Sequence, residues 1–92
     1  MTTPDTPEGP TPMQVVGARI RNLRMSHGMT QGDLARKCFV HQVTVSKWEQ
    51  GTRTPPWFGN PSRRQLIADA FNLPVTFIFQ EVLNAEERGV AA

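Results

Sequence analysis

The feature that most limits what this chain can fold into is the segment 30–51, TQGDLARKCFVHQVTVSKWEQG. Thr30, followed three residues later by Asp33, forms a capping-box pattern with Asp in place of Glu, which predicts the start of a helix. A second helix is predicted over about Gln42–Gln50, and Gly51 predicts its end. The segment is therefore expected to form two short helices joined by a tight turn.

Few apolar side chains are available to hold these two helices against a core. They lie on one side of each predicted helix, with the turn at 39–40 between them: Leu34, Ala35 and Cys38 in the first helix, Val45 and Trp48 in the second. The remaining side chains of the second helix are mostly polar, which indicates an outer face that meets a polar partner.

Apolar spacing predicts a preceding helix over about Gln14 to His27. Its apolar face consists of residues at i, i+4, i+7 and i+11, namely Val16, Ile20, Leu23 and His27. Gly28 supplies the left-handed residue that commonly ends such a helix.

Two further helices are predicted after the loop 51–60. Asn60 followed by Pro61 is typical of an N-cap and a first-turn residue, and Asn72 of a helix end. The fourth helix has an apolar stripe of Leu66, Ile67, Ala70 and Phe71, and the fifth one of Val75, Ile78, Phe79, Val82 and Leu83. Residues 75–79 are also β-branched and aromatic enough to form a strand, although a helix is favoured.

Composition divides the chain into a leader, a body and a tail. Residues 1–12 hold four prolines and almost no apolar side chain, so a disordered leader is expected there. A compact all-α domain is expected over 13–84, and a flexible tail over 85–92. Residues 13–80 hold nine basic and three acidic residues, a net charge of +6, while most acids lie nearer the ends. A basic body suits a polyanionic partner.

The residues needed for catalysis or metal binding are not grouped in this sequence. His27 and His41 lack an evident acid or nucleophile partner, and no Cys/His spacing suggests a metal site. No enzyme activity, cofactor or metal is therefore expected. The single cysteine, and the lack of any apolar run near the ~20 residues of a membrane span, favour a cytoplasmic protein that does not enter a membrane.

Three separated stretches resemble one known family. They are ARIRNLRMSHGMTQGDLARKC, VTVSKWEQGTRTP and LIADAFNLPV, and together the match covers residues 16–79. This text is similar to the lambda-repressor-like (Cro-type, XRE) helix-turn-helix family of DNA-binding proteins. The resemblance implies a compact five-helix domain whose third helix enters the DNA major groove, usually as a homodimer on a palindromic operator.

The resemblance also implies two positioning interactions. Arg24 and Glu49 are expected to form an internal ion pair, in which a guanidinium gives a carboxylate two parallel hydrogen bonds. Gln31, the first residue of helix 2, is expected to contact a DNA phosphate at a helix N-terminus, where free amide groups favour an anion.

Base reading is expected from helix 3. Gln42 can pair with adenine, Lys47 can donate to guanine, and Val43 can contact a thymine methyl group. Supporting contacts are expected from Thr44 and Ser46, and phosphate contacts from His41 and Arg53. Histidine is a poor N-cap, which makes a phosphate contact the more natural role for His41.

Two aromatic features have no clear place in the family pattern. About four residues are inserted around Trp57–Phe58, and this pair could fold back onto the core or rest against DNA sugar or a partner subunit. Phe77 lies off the apolar stripe of helix 5, so it could form a self-association surface or pack under the inserted loop.

Three functions remain open at this point. The favoured one is a sequence-specific transcriptional regulator, in particular a Cro-like repressor of phage or mobile-element type. The second is an antitoxin that binds its own promoter while a tail holds a toxin. The third is a protein-interaction module that keeps the fold without binding DNA. A protein partner would be expected at the tails or at the surface around Trp57 and Phe77.

Overall fold

The computed structural model describes residues 9–89, and within this range the regular secondary structure consists of helices, apart from one short β-bridge. Six helices follow one another: α1 Pro12–Ser26, α2 Gln31–Cys38, α3 Gln42–Gln50, α4 Arg63–Phe71, α5 Val75–Ile78 and α6 Gln80–Glu87. Among the described residues, no helix has the length and apolar character that crossing a membrane requires. Most of the expected leader, residues 1–8, and the last three residues of the expected tail lie outside the described residues.

Helix α1 begins two residues before its predicted start, at a well-formed N-cap. The Thr11 hydroxyl accepts a hydrogen bond from the Gln14 amide, and the Gln14 side chain accepts one from the Thr11 amide. Pro12 occupies the first turn, where its missing N–H costs nothing. This early start brings Met13 into the core, where it is buried.

Helices α2 and α3 have the predicted limits. Thr30 and Asp33 form the expected reciprocal capping box at the start of α2. Phe39 ends α2 in the left-handed conformation, and Gly51, with φ of 80°, ends α3. His41 is the residue before α3, and its side chain makes no capping hydrogen bond.

The predicted start of α4 is wrong. Asn60 and Pro61 are joined by a cis peptide bond and precede the helix, and Ser62 is the N-cap, its hydroxyl accepting a hydrogen bond from the Gln65 amide at 3.1 Å. A short β-bridge between Gly59 and Ser62 turns the chain just before the helix. The end is as expected, because Asn72 takes the left-handed conformation there.

The single fifth helix expected over 75–83 is divided at Phe79 into α5 and α6, and the strand alternative for 75–79 is wrong. Phe79 leaves helical geometry with φ of −107° and ψ of 20°. The break places both Ile78 and Phe79 inside the core with no exposed surface. Helix α6 then continues through Glu87, past the expected start of the tail at residue 85, and buries Ala85.

The core lies where the helices cross. Helix α1 packs against α3, α5 and α6, while α2 packs against α3 and α4. The largest side chains with almost no exposed surface come from α1 to α5 and from Phe79 between α5 and α6: Met13, Ile20, Leu34, Trp48, Ile67, Ile78 and Phe79. The core therefore fixes α3 by one face and leaves its opposite face free.

The crossing of α1 and α3 is close because Gly17 has no side chain. A β-carbon at this position would lie 2.3 Å from the Trp48 carbonyl oxygen and 2.6 Å from that of Glu49. Both atoms belong to the backbone of α3, so they can move away only if the helix itself moves.

Gly17→Ala is expected to destabilise the fold by at least about 3 kcal/mol, because the new methyl group must push α3 away from α1. The matched control is Gly32→Ala in α2, where a β-carbon would have no neighbour closer than 3.7 Å. Alanine is the better helix former, so this control should be neutral or stabilising by about 0.5–1 kcal/mol. Urea unfolding followed by circular dichroism measures both; equal stability of the two variants would contradict the close crossing.

Candidate nucleic-acid interface

One face of α3 is open to solvent along its whole length. Val43, Ser46, Lys47 and Gln50 recur at i, i+3, i+4 and i+7 on this face, and Gln42 lies at its N-terminal end. Val43 is 63% exposed, although it is apolar. These five residues are called the α3 outer face below. Gln50 was not among the expected base-reading residues, but the spacing from Val43 predicts its place there.

The opposite side of α3 is fastened to α1 by the ion pair expected from the sequence. Arg24 Nε lies 2.6 Å from Glu49 Oε2, and Arg24 Nη2 lies 3.1 Å from Glu49 Oε1. The two side chains are only 12% and 4% exposed. Arg24 also donates to the Met29 carbonyl oxygen at 2.8 Å, so it joins α1, the loop before α2 and the end of α3. The Glu49 hydrogen bond raises the pKa of Arg24.

Gln31 extends this ion pair to the outer face. Its Nε2 donates to Glu49 Oε1 at 3.0 Å, and its Oε1 lies 3.4 Å from Gln42 Nε2. A carboxylate only accepts hydrogen bonds, so Gln31 has to turn its amide nitrogen toward Glu49 and its oxygen toward Gln42. Gln42 must then donate to Gln31. This order leaves the Gln42 oxygen and its second amide hydrogen free for a base.

This arrangement disfavours the expected contact between the Gln31 side chain and a DNA phosphate. The Gln31 side chain is partly buried and engaged with Glu49 and Gln42. The groups at the start of α2 that remain suited to a phosphate are the backbone N–H groups of Gln31 and Gly32, because the first turn of a helix has no intrahelical acceptors for them and the Asp33 N–H is bonded to Thr30.

The residues expected to support base reading have different surroundings. Ser46 is on the outer face, and its hydroxyl accepts a hydrogen bond from Gln50 Nε2 at 3.1 Å. Thr44 instead lines a groove beside that face, together with Arg53 and Phe58. His41 and Arg53 are exposed at the two ends of α3.

The acids near the C-terminus do not form a separate acidic tail. Glu81 forms a two-bonded pair with Arg19 at 2.7 and 2.8 Å, and Glu86 one with Arg64 at 3.0 and 2.7 Å. Hydrogen bonds from these arginines lower the pKa of both carboxyl groups. These carboxylates neutralise the charge of one arginine on α1 and one on α4. Lys47 and Arg53, by contrast, form no ion pair within the described residues.

Arg64 is a buried residue whose burial was not expected from the sequence. It is 2% exposed, and its Nε donates to the Pro55 carbonyl oxygen at 2.8 Å in addition to its pair with Glu86. Arg64 therefore ties the loop before α4 to α6. Its spacing to Ile67, Ala68 and Phe71 (i, i+3, i+4, i+7) places it on the buried side of α4 and could have indicated this role.

The two aromatic features are both exposed. Trp57 is 70% and Phe58 66% exposed, so the alternative in which they fold back onto the core is wrong. Phe77 is 54% exposed and lies beside the Arg19 guanidinium, 5.9 Å from its ring centroid, so the alternative in which it packs under the inserted loop is wrong as well.

Cys38 lies in the core, as its position in the pattern predicts. It is fully buried, and burial raises the pKa of its thiol to about 11. A thiol that stays protonated at neutral pH is a poor nucleophile and a poor metal ligand.

Comparison with known proteins agrees with this geometry. A family model described as a helix-turn-helix domain matches residues 15–74. An uncharacterized HTH-type transcriptional regulator of Sinorhizobium medicae (strain WSM419) is 34% identical over 73 residues, which cover 78% of this chain and 50% of the relative. The chain thus spans about half the length of the curated relatives it matches.

Solved structures share the fold. The restriction-modification controller protein C.AhdI from Aeromonas hydrophila superposes with a TM-score of 0.61 at 24% identity, covering 73% of this chain and 96% of that one. A mutant of C.Esp1396I, solved bound to its highest affinity operator site OM, gives a TM-score of 0.59 at 22% identity, covering 83% and 95%.

The fold and the α3 outer face define a helix-turn-helix protein. The chain belongs to the helix-turn-helix domain family whose model matches residues 15–74, in agreement with the resemblance of its sequence motifs to lambda-repressor-like (XRE) proteins.

Glu49→Gln is expected to destabilise the protein by about 2–4 kcal/mol, because an amide cannot accept all the hydrogen bonds that Arg24 and Gln31 donate in this buried site. Glu81→Gln is the matched control, since its pair with Arg19 is 27% and 34% exposed and its loss should cost less than about 1 kcal/mol. Thermal unfolding of both variants at neutral pH gives the comparison. Equal losses would mean that burial of the Arg24–Glu49 pair has no special importance.

Proposed function

We propose that this protein is a sequence-specific double-stranded DNA-binding regulator that inserts α3 into the major groove. The observation that carries the proposal is the α3 outer face, whose hydrogen-bonding side chains are exposed while the buried Arg24–Glu49 pair holds the helix from behind. A short exposed helix with such side chains fits the width of the major groove of B-DNA.

Base reading in this proposal is divided among the residues of the outer face. The free oxygen and amide hydrogen of Gln42 match the N6 and N7 groups of adenine, a pairing supported by its hydrogen bond to Gln31. Lys47 donates to guanine O6 or N7, and Val43 contacts a thymine methyl group. Ser46 and Gln50 add hydrogen bonds, and Thr44 contacts DNA at the edge of the groove.

Phosphate contacts position the protein on the duplex. We assign them to the N-terminus of α2 at Gln31, to His41 at the start of α3, and to Arg53 just after its end. These contacts carry no sequence information, but they make affinity depend steeply on salt, since each neutralised phosphate releases counterions.

The regulator acts, in this proposal, as a repressor of Cro-like type that occupies an operator and blocks access to it. Operator binding by C.Esp1396I, which shares the fold, supports a DNA partner. Operator binding would take place in the cytoplasm of a bacterial or phage-infected cell. The antitoxin alternative adds a toxin partner to the same DNA chemistry, while the interaction-module alternative removes DNA binding altogether.

We propose further that the protein binds its operator as a homodimer through the surface around Phe77. This ring is flanked by two shallow grooves, one lined by α1 residues including Val15 and Leu23, the other by residues including Gln80 and Leu83. An exposed aromatic ring between two partly apolar grooves suits self-association. Two copies would present their α3 helices to half-sites about 34 Å apart.

The function is tested by sequencing the duplexes that the protein selects from a random pool, at two salt concentrations, for wild type and Gln42→Ala. Wild type should enrich a defined motif and lose affinity steeply with salt. Gln42→Ala should relax preference at one base pair by about 1–3 kcal/mol and leave the salt dependence unchanged. An unchanged motif would contradict the role of Gln42, and no enrichment by wild type would favour the interaction module.

Phe77→Ala is expected to shift the protein from dimer to monomer in sedimentation velocity runs and to weaken binding to a two-half-site operator, with little effect on a single half-site. Phe58→Ala is the matched control for sedimentation, because it removes an exposed ring from another surface. If both variants sediment like wild type, the Phe77 surface is not the dimer interface.

A further inference from the structure

We propose that the Trp57–Phe58 loop is a second DNA contact, in which the two rings pack against the sugar–phosphate backbone beside the segment that α3 reads. This inference rests on the proposed function and adds to it a contact outside the α3 outer face.

The loop that carries the two rings is held in place at both of its ends. On one side, Pro55 is buried and its carbonyl oxygen accepts the Arg64 hydrogen bond at 2.8 Å. On the other side, the Gly59–Ser62 bridge joins the loop to the start of α4. The two rings between these anchors meet edge to face, with centroids 5.9 Å apart and planes at 85°. Their exposure is thus a feature of a folded loop.

Phe58 forms one wall of a groove whose charge suits DNA. The other walls include Thr44 on α3, Arg53 after α3 and Arg63 at the start of α4. No acidic side chain lines this groove among the described residues, and neither arginine forms an ion pair within residues 9–89. A surface that combines exposed apolar rings with unpaired arginines offers contacts to deoxyribose and to phosphate at once.

The groove is continuous with the α3 outer face. Thr44 lies on α3 next in angle to Lys47, and Arg53 is only three residues beyond the last residue of the helix. When a helix lies in the major groove, the sugar–phosphate strands run along its two edges. The Thr44 edge of α3 would therefore bring one strand to Arg53 and the rings beyond it.

Such a contact would add affinity without sequence preference. Deoxyribose offers apolar C–H groups to a ring, and removal of that apolar surface from water is favourable whichever base is attached. The loop would then add to the positioning contact that Arg53 makes just after α3.

The two tryptophans make the contact directly observable. Trp57 is 70% exposed and Trp48 is 1% exposed, so a neutral quencher such as acrylamide reaches mainly Trp57. Saturating the wild-type protein with duplex DNA should lower acrylamide quenching to the level of Trp57→Phe, in which only the buried Trp48 remains. Quenching that is unchanged when DNA is bound would overturn the proposal.

The energetic test uses a duplex with a single half-site, on which dimer contacts play no part. Trp57→Ala and Phe58→Ala should each weaken binding about five- to tenfold, equally for matched and mismatched half-sites. Phe77→Ala, which removes an exposed ring from a different surface, is the control and should bind like wild type. Circular dichroism melting checks that all three variants remain folded, as exposed positions predict.

Failure of this inference can be told from failure of the proposed function. If wild type binds duplex DNA but both loop variants bind as tightly, the loop contact is excluded and α3 reading stands. If the loop variants instead lose self-association while binding a half-site normally, the loop is a protein–protein surface. If wild type itself binds no duplex DNA, the proposed function fails first.

Discussion

The close crossing of α1 and α3 is the constraint on which the rest of this structure depends. Helix α3 has nine residues and only two fully buried apolar anchors, Val45 and Trp48, so it is too short to be stable without tertiary support. Gly17 lets the backbones meet, and the Arg24–Glu49 pair fixes the same crossing about two turns further along α1. One face of α3 is thereby held, and the polar side chains of its outer face can be used elsewhere.

The same buried pair reaches the outer face through Gln31. Because Glu49 only accepts hydrogen bonds, the orientation of each successive amide is fixed up to Gln42. In our proposal, a base therefore meets a side chain whose donor and acceptor are already arranged, so less conformational entropy is lost on binding. The surface around Phe77 lies apart from this face, which would let self-association change independently of base reading, whereas the groove walled by Phe58 adjoins the face at Thr44.

Local signals in the sequence predicted most of the fold. Capping at Thr30, the left-handed Gly51 and the apolar spacing of α2 and α3 depend on residues within a turn or two of each other, and the structure confirms them. Features that depend on distant partners were missed. Arg64 is buried because Pro55 and Glu86 both bind it, and α5 and α6 separate at Phe79 because the core accepts that ring and Ile78 together.

The candidate site likewise has features that the sequence predicted and features that it did not. The exposed positions of Gln42, Val43 and Lys47 follow from helical spacing, whereas the engagement of the Gln31 side chain and the place of Thr44 in a side groove depend on how α2, α3 and the inserted loop pack. A sequence pattern can assign a residue to a helix face, but it cannot show which neighbour uses its hydrogen bonds.

The most direct test of this account is an NMR titration of the ¹⁵N-labelled protein with duplex DNA, following every backbone amide. We expect the largest shift changes at the start of α2 and along α3, with small changes on the α1 residues that face away from α3. Changes centred on α5 and α6, with α3 unaffected, would contradict the claim that the face left free by the α1–α3 crossing is the one that binds DNA.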